Sequence, residues 1–273
     1  MPARLHHERL APSGEPPTSW LLLTHGIYGA GTNWRAIARK LTERRPAWGV
    51  VLVDLRQHGR SEPGEPPHTV TAAAEDLAAL VTQLAAEDVA ITAIGGHSFG
   101  GKVALATRAL VQVQQTWVFD ASPGARPDGM SDHGNTVVHV LELLERLPRT
   151  WAKREDFVAA VRADGQGATL AQWLAMNVVP DAAGVPTLRL DTAALRSMLA
   201  DYYALDLWAS AYTPEHGALE FVIAQRSSTI DAAARTQLAS SPPHVRVHVV
   251  DADHWLHVEV PDVVVTLLAD HLP

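Results

Sequence analysis

A serine between two glycines is the first feature of the sequence that could do chemistry. Gly96, Ser98 and Gly100 form a G-x-S-x-G pattern, which follows an apolar run and begins a run with helical spacing. A sharp strand-to-helix turn would hold the serine in a strained conformation with its hydroxyl projecting, and larger side chains at the glycine positions would meet neighbouring backbone. The free N–H groups at the start of the helix favour negative charge. The pattern therefore predicts Ser98 as a nucleophile.

Two further segments supply the groups that a serine nucleophile needs. His254 lies after the last predicted strand, where a loop at the edge of a sheet can bring an imidazole to the serine as its general base. The stretch from His25 to Gly29 follows an earlier apolar run. We predict that the backbone N–H groups of Ile27 and of Phe99, the residue after the nucleophile, hold an oxyanion. His257, three residues after the base, is expected to face elsewhere.

Strand-like and helix-like segments alternate along the chain and predict the elements that position these groups. Predicted strands cover residues 3–10, 20–24, 49–54, 89–94, 116–119, 219–223 and 245–250, and predicted helices cover 34–45, 71–86, 98–113, 229–239 and the chain from about 261. This alternation is typical of a parallel sheet with helices on both faces. We therefore expect an α/β fold with a mostly parallel central sheet, flanked by helices.

The alternation is interrupted between residues 123 and 214, where the segments have helical spacing and no clear parallel strand. Met and aromatic residues mark this stretch, among them Trp151, Phe157, Trp173, Met176, Met198, Tyr202, Tyr203 and Trp208. We interpret residues 123–214 as a helical cap inserted into a core domain of residues 1–122 and 215–273. A cap over a sheet edge creates an apolar pocket.

Composition excludes several classes of function. The chain has 22 Lys and Arg against 30 Asp and Glu, a net charge of −8, which argues against nucleic-acid partners and against anionic membrane surfaces. There is no cysteine, so no disulfide, thiol nucleophile or thiolate metal site is predicted. The first residues lack an apolar signal-peptide run, and a cytoplasmic location is the expectation. The oligomeric state is not predicted.

Four stretches, HGIYGAGTNW, VDLRQHGRSE, GHSFGGK and DHWLHVEVP, resemble the α/β-hydrolase superfamily, in its capped serine esterase and thioesterase-like branch. The resemblance extends over nearly the whole chain. It implies hydrolysis of short- to medium-chain carboxylic esters or thioesters through an acyl-enzyme, with a small molecule as partner and with neither cofactor nor metal. Asp54 and Arg56, which belong to the second stretch, are interpreted as structural.

The acid of the catalytic triad is where the sequence departs from the family pattern. After the predicted strand 219–223, Ser228 stands where the resemblance implies an aspartate, and a serine cannot stabilise an imidazolium by charge. Asp120 ends the strand that follows the nucleophile helix, and some members of this fold take the acid from there. We predict Asp120 as the acid, which keeps the order serine, acid, histidine. Asp231 and Asp206 are the alternatives.

The substrate pocket and two rival functions complete the prediction. The pocket residues are predicted to be His25, Tyr28, His97, Trp173 and Trp255. One rival is a carbon–carbon bond hydrolase or lyase on the same triad, which would need cationic cap residues to bind a substrate carboxylate; the candidates are Arg149, Arg154 and Arg196. The other rival is a ligand-binding receptor with slow turnover, which the missing aspartate at position 228 leaves open.

Overall fold

The computed structural model describes residues 1–273 and contains strands and helices in alternation. The strands are β1 (His7–Leu10), β2 (Ser19–Thr24), β3 (Trp48–Val53), β4 (Ile91–His97), β5 (Gln115–Phe119), β6 (Val178–Pro180), β7 (Pro186–Leu188), β8 (Ala218–Ala224) and β9 (Val245–Val250). The α-helices are α1 (Arg35–Arg44), α2 (Val70–Ala85), α3 (Phe99–Thr107), α4 (Thr136–Arg146), α5 (Arg154–Ala163), α6 (Ala168–Leu174), α7 (Thr192–Ala204), α8 (Trp208–Ala211), α9 (Ala232–Ala239), α10 (Leu256–Glu259) and α11 (Pro261–His271). Short 3-10 helices lie at Gly31–Trp34, Pro127–Met130, Ala175–Asn177 and Pro214–His216.

Seven of the strands form one sheet in the order β1-β3-β2-β4-β5-β8-β9. The edge strand β1 pairs antiparallel with β3, and all other neighbours are parallel. Every residue of β3 is buried, because helices cover both faces of the sheet. The predicted fold class is confirmed. Since the parallel strands share one direction, the loops that follow β2, β4, β5, β8 and β9 meet at the same edge of the sheet.

The two faces of the sheet have separate cores. In β2, alternate side chains point to opposite faces: Leu22 packs on the side of α2 and α3, whereas Leu21 and Leu23 pack on the side of α1 and α11. The apolar side chains of the segment between β5 and β8 belong mainly to the α2–α3 side. None of the helices is long and apolar enough to cross a lipid bilayer.

The segment between β5 and β8, or inserted segment, forms helices α4 to α8 and the antiparallel hairpin β6–β7. Helices are expected here, but the hairpin is not. Its strands have three residues each, too short for an alternating pattern to be recognised in the sequence. The division of the chain into a core of residues 1–122 and 215–273 and a cap of residues 123–214 stays a prediction.

Two predicted boundaries are corrected around the serine. β4 continues to His97 instead of ending near residue 94, because its glycines pair with both β2 and β5. α3 ends at Thr107 instead of near residue 113. The guanidinium of the next residue, Arg108, is buried and donates to the carbonyls of Ser210 and Gly217, which fixes the chain beyond the helix.

Asp54 and Arg56 organise the loop after β3. The carboxylate of Asp54 accepts hydrogen bonds from the N–H groups of Gly31 (2.8 Å) and Arg60 (2.9 Å). The guanidinium of Arg56 pairs with the buried carboxylate of Asp76 in α2 at 2.5 Å. These contacts tie the loop to its neighbours, in agreement with a structural interpretation.

Candidate active site

Ser98 is the single residue between β4 and α3, and it has φ 53° and ψ −120°. A positive φ costs a non-glycine residue about 1–3 kcal/mol, so the surrounding structure must impose it. The flanking glycines allow the approach that does so. A Cβ atom at Gly96 would lie 2.2 Å from the carbonyl oxygen of Gly100, and a Cβ at Gly100 would lie 2.4 Å from that of His25. No larger side chain fits at either position without moving the backbone.

The structure brings Ser98, His254 and Asp120 together in one hydrogen-bonded chain. His254 Nε2 lies 3.0 Å from Ser98 Oγ, and His254 Nδ1 lies 2.6 Å from Asp120 Oδ2. Asp120 is fully buried, and its other carboxylate oxygen accepts from the N–H of Ala224 (3.1 Å). Because a carboxylate can only accept, the Nδ1 atom carries the proton and Nε2 is free to accept the serine hydroxyl.

The alternative acids lie elsewhere. Asp231 caps α9 by accepting from the N–H of Ala234 (2.8 Å), and Asp206 accepts from the N–H of Trp208 (3.0 Å). Neither contacts His254. From the loop after β8, the residue that reaches the imidazole is Thr229, whose Oγ1 lies 3.0 Å from His254 Nδ1. Ser228 lines the neighbouring cavity without touching the histidine.

Two backbone N–H groups beside Ser98 have no acceptor in the protein. They belong to Ile27 and Phe99, the predicted oxyanion donors, and both residues line the same cavity as Ser98. The next N–H along the loop, that of Tyr28, is already used, because it donates to Nε2 of His58 (3.2 Å). His58 is the histidine of the VDLRQHGRSE stretch, but the sequence analysis assigns it no role.

Other histidines surround the site, and burial keeps them neutral. Burial lowers the pKa of His58 and of His257 to about 3. It also lowers the pKa of His97 well below the ordinary imidazole value. The Nε2–H group of His97 donates to the carbonyl of His254 (2.7 Å), which fixes the loop that carries His254. His257 lines the cavity with its ring 4.4 Å from that of His97, so the expectation that it faces elsewhere is wrong.

One predicted pocket residue lies outside the cavity. His25 is 1% exposed; its Nε2 accepts from the N–H of Leu55 (3.0 Å) and its Nδ1–H donates to the carbonyl of Gly26 (2.8 Å). Both ring nitrogens are therefore used inside the protein, and His25 fixes loops instead of facing a ligand.

A cavity of about 860 Å³ opens beside Ser98. Four predicted pocket residues line it: Tyr28, His97, Trp173 and Trp255. The rings of Trp173 and Trp255 meet edge-on at 4.5 Å, so a side chain of the inserted segment touches the residue after His254. The inserted segment also contributes apolar side chains to the wall, namely Val137, Val140, Leu170 and Leu199.

The cations that line this cavity are all engaged by groups of the protein. Lys102 donates to the carbonyls of Gly124 (2.9 Å) and Tyr202 (2.7 Å), and burial lowers its pKa to about 8. Arg126 pairs with Asp132. Arg226 pairs with three acids around the His254 loop: Asp251, Asp253 and Glu259.

The three arginines proposed to hold a substrate carboxylate do not line the cavity. Arg149 donates to the carbonyls of Leu188 (3.2 Å) and Leu190 (3.4 Å), and Arg196 pairs with Glu145 at 2.6 Å. Arg154 is exposed at the start of α5.

Known proteins share both sequence and fold with this chain. The sequence model of the alpha/beta hydrolase family matches residues 21–267. The sn-1-specific diacylglycerol lipase ABHD11 of Mus musculus is 26% identical over 267 residues, which cover 94% of this chain and 83% of the lipase. Esterase YbfF of Escherichia coli is 26% identical over 256 residues, 92% of each chain. A solved structure described as a marine microorganism esterase superposes with a TM-score of 0.83 at 24% identity, over 99% of this chain and 100% of that one, which shows a common fold.

Proposed function

This chain belongs to the alpha/beta hydrolase family, and on that premise we propose that it is a carboxylic ester hydrolase that works through an acyl-enzyme on Ser98. The observation that carries the proposal is the hydrogen-bonded chain from Asp120 through His254 to Ser98, with two free N–H groups beside the serine. The esterases and lipases among its relatives support the same reaction class.

In the proposed mechanism, Ser98 Oγ attacks the ester carbonyl while His254 Nε2 takes its proton. Asp120 stabilises the imidazolium that forms. The N–H groups of Ile27 and Phe99 hold the oxyanion of the tetrahedral intermediate, and each such donor is worth about 2.7–4 kcal/mol of transition-state stabilisation. His254 then gives its proton to the leaving alcohol or thiol. Water repeats the sequence on the acyl-enzyme and releases the acid.

We propose that the substrate is an uncharged ester or thioester with a short to medium acyl chain. Apolar side chains of the inserted segment line much of the cavity. Lys102, Arg126 and Arg226 are each bound to groups of the protein, so an anionic substrate would have to compete with those contacts. The net charge of −8 disfavours anionic substrates further.

The two rival functions have less support. A carbon–carbon bond hydrolase that binds a substrate carboxylate would need a free cation at the cavity, and the three arginines suggested for that role lie outside it. The receptor interpretation depended on the absence of an aspartate at position 228. The contact of Asp120 with His254 weakens that argument, because it places a carboxylate beside the histidine.

A substrate series and a covalent probe test the proposal together. We expect kcat/KM to be highest for butyryl or octanoyl p-nitrophenyl esters, and lower for acetyl and palmitoyl esters. Matched thioesters measure the preference between oxygen and sulfur leaving groups. A fluorophosphonate probe should label Ser98 and should not label the Ser98→Ala variant. Preference for palmitoyl or dianionic substrates would contradict the substrate class, and slow turnover with tight retention of ligand would favour the receptor.

A further inference from the structure

Tyr28 occupies the third position of a tight turn, Gly26 to Gly29, that faces the cavity. The turn is closed by a hydrogen bond from the N–H of Gly29 to the carbonyl of Gly26 (3.0 Å). Tyr28 has φ 66°, the sign that a type II turn requires at this position and that usually selects glycine. A bulky residue therefore holds a strained conformation in the loop that carries the proposed oxyanion donor, Ile27.

The peptide between Gly26 and Ile27 is oriented by two donors. The carbonyl of Gly26 accepts from Gly29 N–H and from His25 Nδ1–H (2.8 Å). Because the C=O and N–H of a trans peptide point in opposite directions, these bonds also set the direction of the Ile27 N–H. That N–H has no acceptor in the protein.

Three contacts from outside the turn hold Tyr28. Its N–H donates to His58 Nε2 (3.2 Å), its carbonyl accepts from Asn177 Nδ2 (2.8 Å), and its hydroxyl donates to the carbonyl of Val137 (2.9 Å). The Nδ1–H of His58 donates to the carbonyl of Arg56 (2.8 Å), so Nε2 presents a lone pair. A flip of the peptide between Ile27 and Tyr28 would aim a carbonyl oxygen at that lone pair, which opposes the flip.

Asn177 belongs to the segment between β5 and β8, in the 3-10 helix Ala175–Asn177, and is 3% exposed. Its backbone carbonyl accepts from the N–H of Arg189 (2.9 Å), which anchors it near the hairpin β6–β7. We propose that Asn177 is a positioning residue: by holding the carbonyl of Tyr28 it keeps the Ile27 N–H aimed at the oxyanion. The inference rests on the proposed function, which assigns the oxyanion to this loop.

The test separates transition-state binding from substrate binding. Asn177→Asp keeps the side-chain shape but places an acceptor against the carbonyl of Tyr28, and Asn177→Ala removes the contact. We expect kcat to fall by about 10- to 100-fold in both, less than the roughly 10²–10³ for complete loss of an oxyanion donor. KM should change by less than about threefold, because the ground-state ester makes little use of the oxyanion site. Inhibition by a phenylboronic acid, whose tetrahedral serine adduct presents an oxygen to the oxyanion site, should weaken in parallel with kcat.

Two further variants guard against a merely structural effect. His58→Phe releases the other side of Tyr28 and should give the same split between kcat and KM. The matched control is Ser197→Ala, which removes a hydrogen bond from α7 to the carbonyl of His68 (3.1 Å) and does not touch the turn. Rates are expressed per active site, counted at the end point of fluorophosphonate labelling, so a loss of folded protein does not imitate a loss of kcat.

The outcomes are distinct. Unchanged kcat per site and unchanged boronate inhibition in Asn177→Asp would overturn the inference, as would an equal loss in Ser197→Ala. A wild type that neither hydrolyses esters nor reacts at Ser98 would overturn the proposed function itself, and the inference with it.

Discussion

The turn that carries Ser98 and the turn that carries Tyr28 face the same cavity, and each holds a non-glycine residue at positive φ, 53° and 66°. The two turns are held in different ways. The Ser98 turn is held by backbone packed against backbone, since a Cβ at Gly96 would meet the carbonyl of Gly100 and a Cβ at Gly100 would meet that of His25. The Tyr28 turn is held from outside, by His58 and Asn177, which lie 30 and 149 residues away in the sequence.

The difference teaches how two parts of one site respond to change. A turn that is held by close backbone contacts has no room for a larger side chain, so an added methyl group forces the backbone to move. A turn that is held from outside depends on the assembled fold, so it transmits changes in a distant segment to the site. We therefore expect large effects of substitution at and around Ser98, and smaller, graded effects of the contacts that brace Tyr28.

The largest effect should follow loss of the nucleophile. Ser98→Ala should lower kcat for a butyryl ester by about 10⁴–10⁶, the range expected when a member of a catalytic unit is removed. Ser228→Ala is the matched control, since it removes a hydroxyl from the wall of the same cavity without touching His254, and it should be near neutral. Robust activity in purified Ser98→Ala would show that another residue is the nucleophile.

The next effect concerns the acid behind the base. Asp120→Asn should keep the fold but favour the wrong tautomer of His254, with a loss of about 10⁴ in kcat. Asp231→Asn and Asp206→Asn change aspartates that only accept backbone N–H groups, so the expected cost is mild. The three kcat values are compared on one ester. If Asp231→Asn or Asp206→Asn is crippling and Asp120→Asn is tolerated, the placement of the acid is wrong.

A glycine substitution tests the closure of the Ser98 turn directly. In Gly100→Ala, the new Cβ would lie 2.4 Å from the carbonyl oxygen of His25, so the backbone must move. We expect either a fall in kcat of about 10² or more, or a smaller yield of folded protein. The control is Gly167→Ala at the start of α6, where a Cβ meets nothing within 4 Å. It should change the free energy of unfolding by less than about 0.5 kcal/mol. Full activity in Gly100→Ala would show that this close backbone contact does not matter for catalysis.

Acidification should destabilise the fold through two buried histidines, His58, which braces the Tyr28 turn, and His257. The pKa of His58 and of His257 is about 3 in the folded protein, against about 6.5 in an unfolded chain. Below pH 6.5 the unfolded chain takes up protons that the folded protein excludes, so the free energy of unfolding falls as pH falls, down to about pH 3. From pH 7 to pH 5, each histidine should remove about 2 kcal/mol.

Urea unfolding at pH 7 and pH 5 measures this loss. His257→Phe is the informative variant, because Nδ1 of His257 is buried without a partner and a phenyl ring has a similar shape. It should reduce the difference in the free energy of unfolding between the two pH values by about 2 kcal/mol. An equal difference in the wild type and in His257→Phe would mean that His257 takes up protons in the folded protein.

The difference between the Ser98 turn and the Tyr28 turn also explains which parts of the structure the sequence predicts and which it does not. The approach of Ser98, His254 and Asp120 was expected, because residues that end parallel strands must share one edge of the sheet. The path of β4 through Gly95 and Gly96 was not, since glycines are poor strand formers and only pairing with both neighbouring strands keeps them extended.

The contacts that hold the Tyr28 turn could not be predicted from the sequence, for a different reason. Contacts such as those of His58 and Asn177 depend on side-chain packing between elements that no local pattern connects. His25 is predicted as a pocket residue, but both of its ring nitrogens make hydrogen bonds inside the protein. His257 was expected to face elsewhere, but the short helix α10 turns it back beside His97.

Residues from two neighbouring strands, β5 and β8, place oxygen atoms beside the same nitrogen atom of His254. Asp120 from the end of β5 and Thr229 from the loop after β8 both approach Nδ1 of His254, at 2.6 and 3.0 Å. In evolutionary terms, the serine and the histidine can stay where they are while the oxygen that orients the histidine comes from either of two strands.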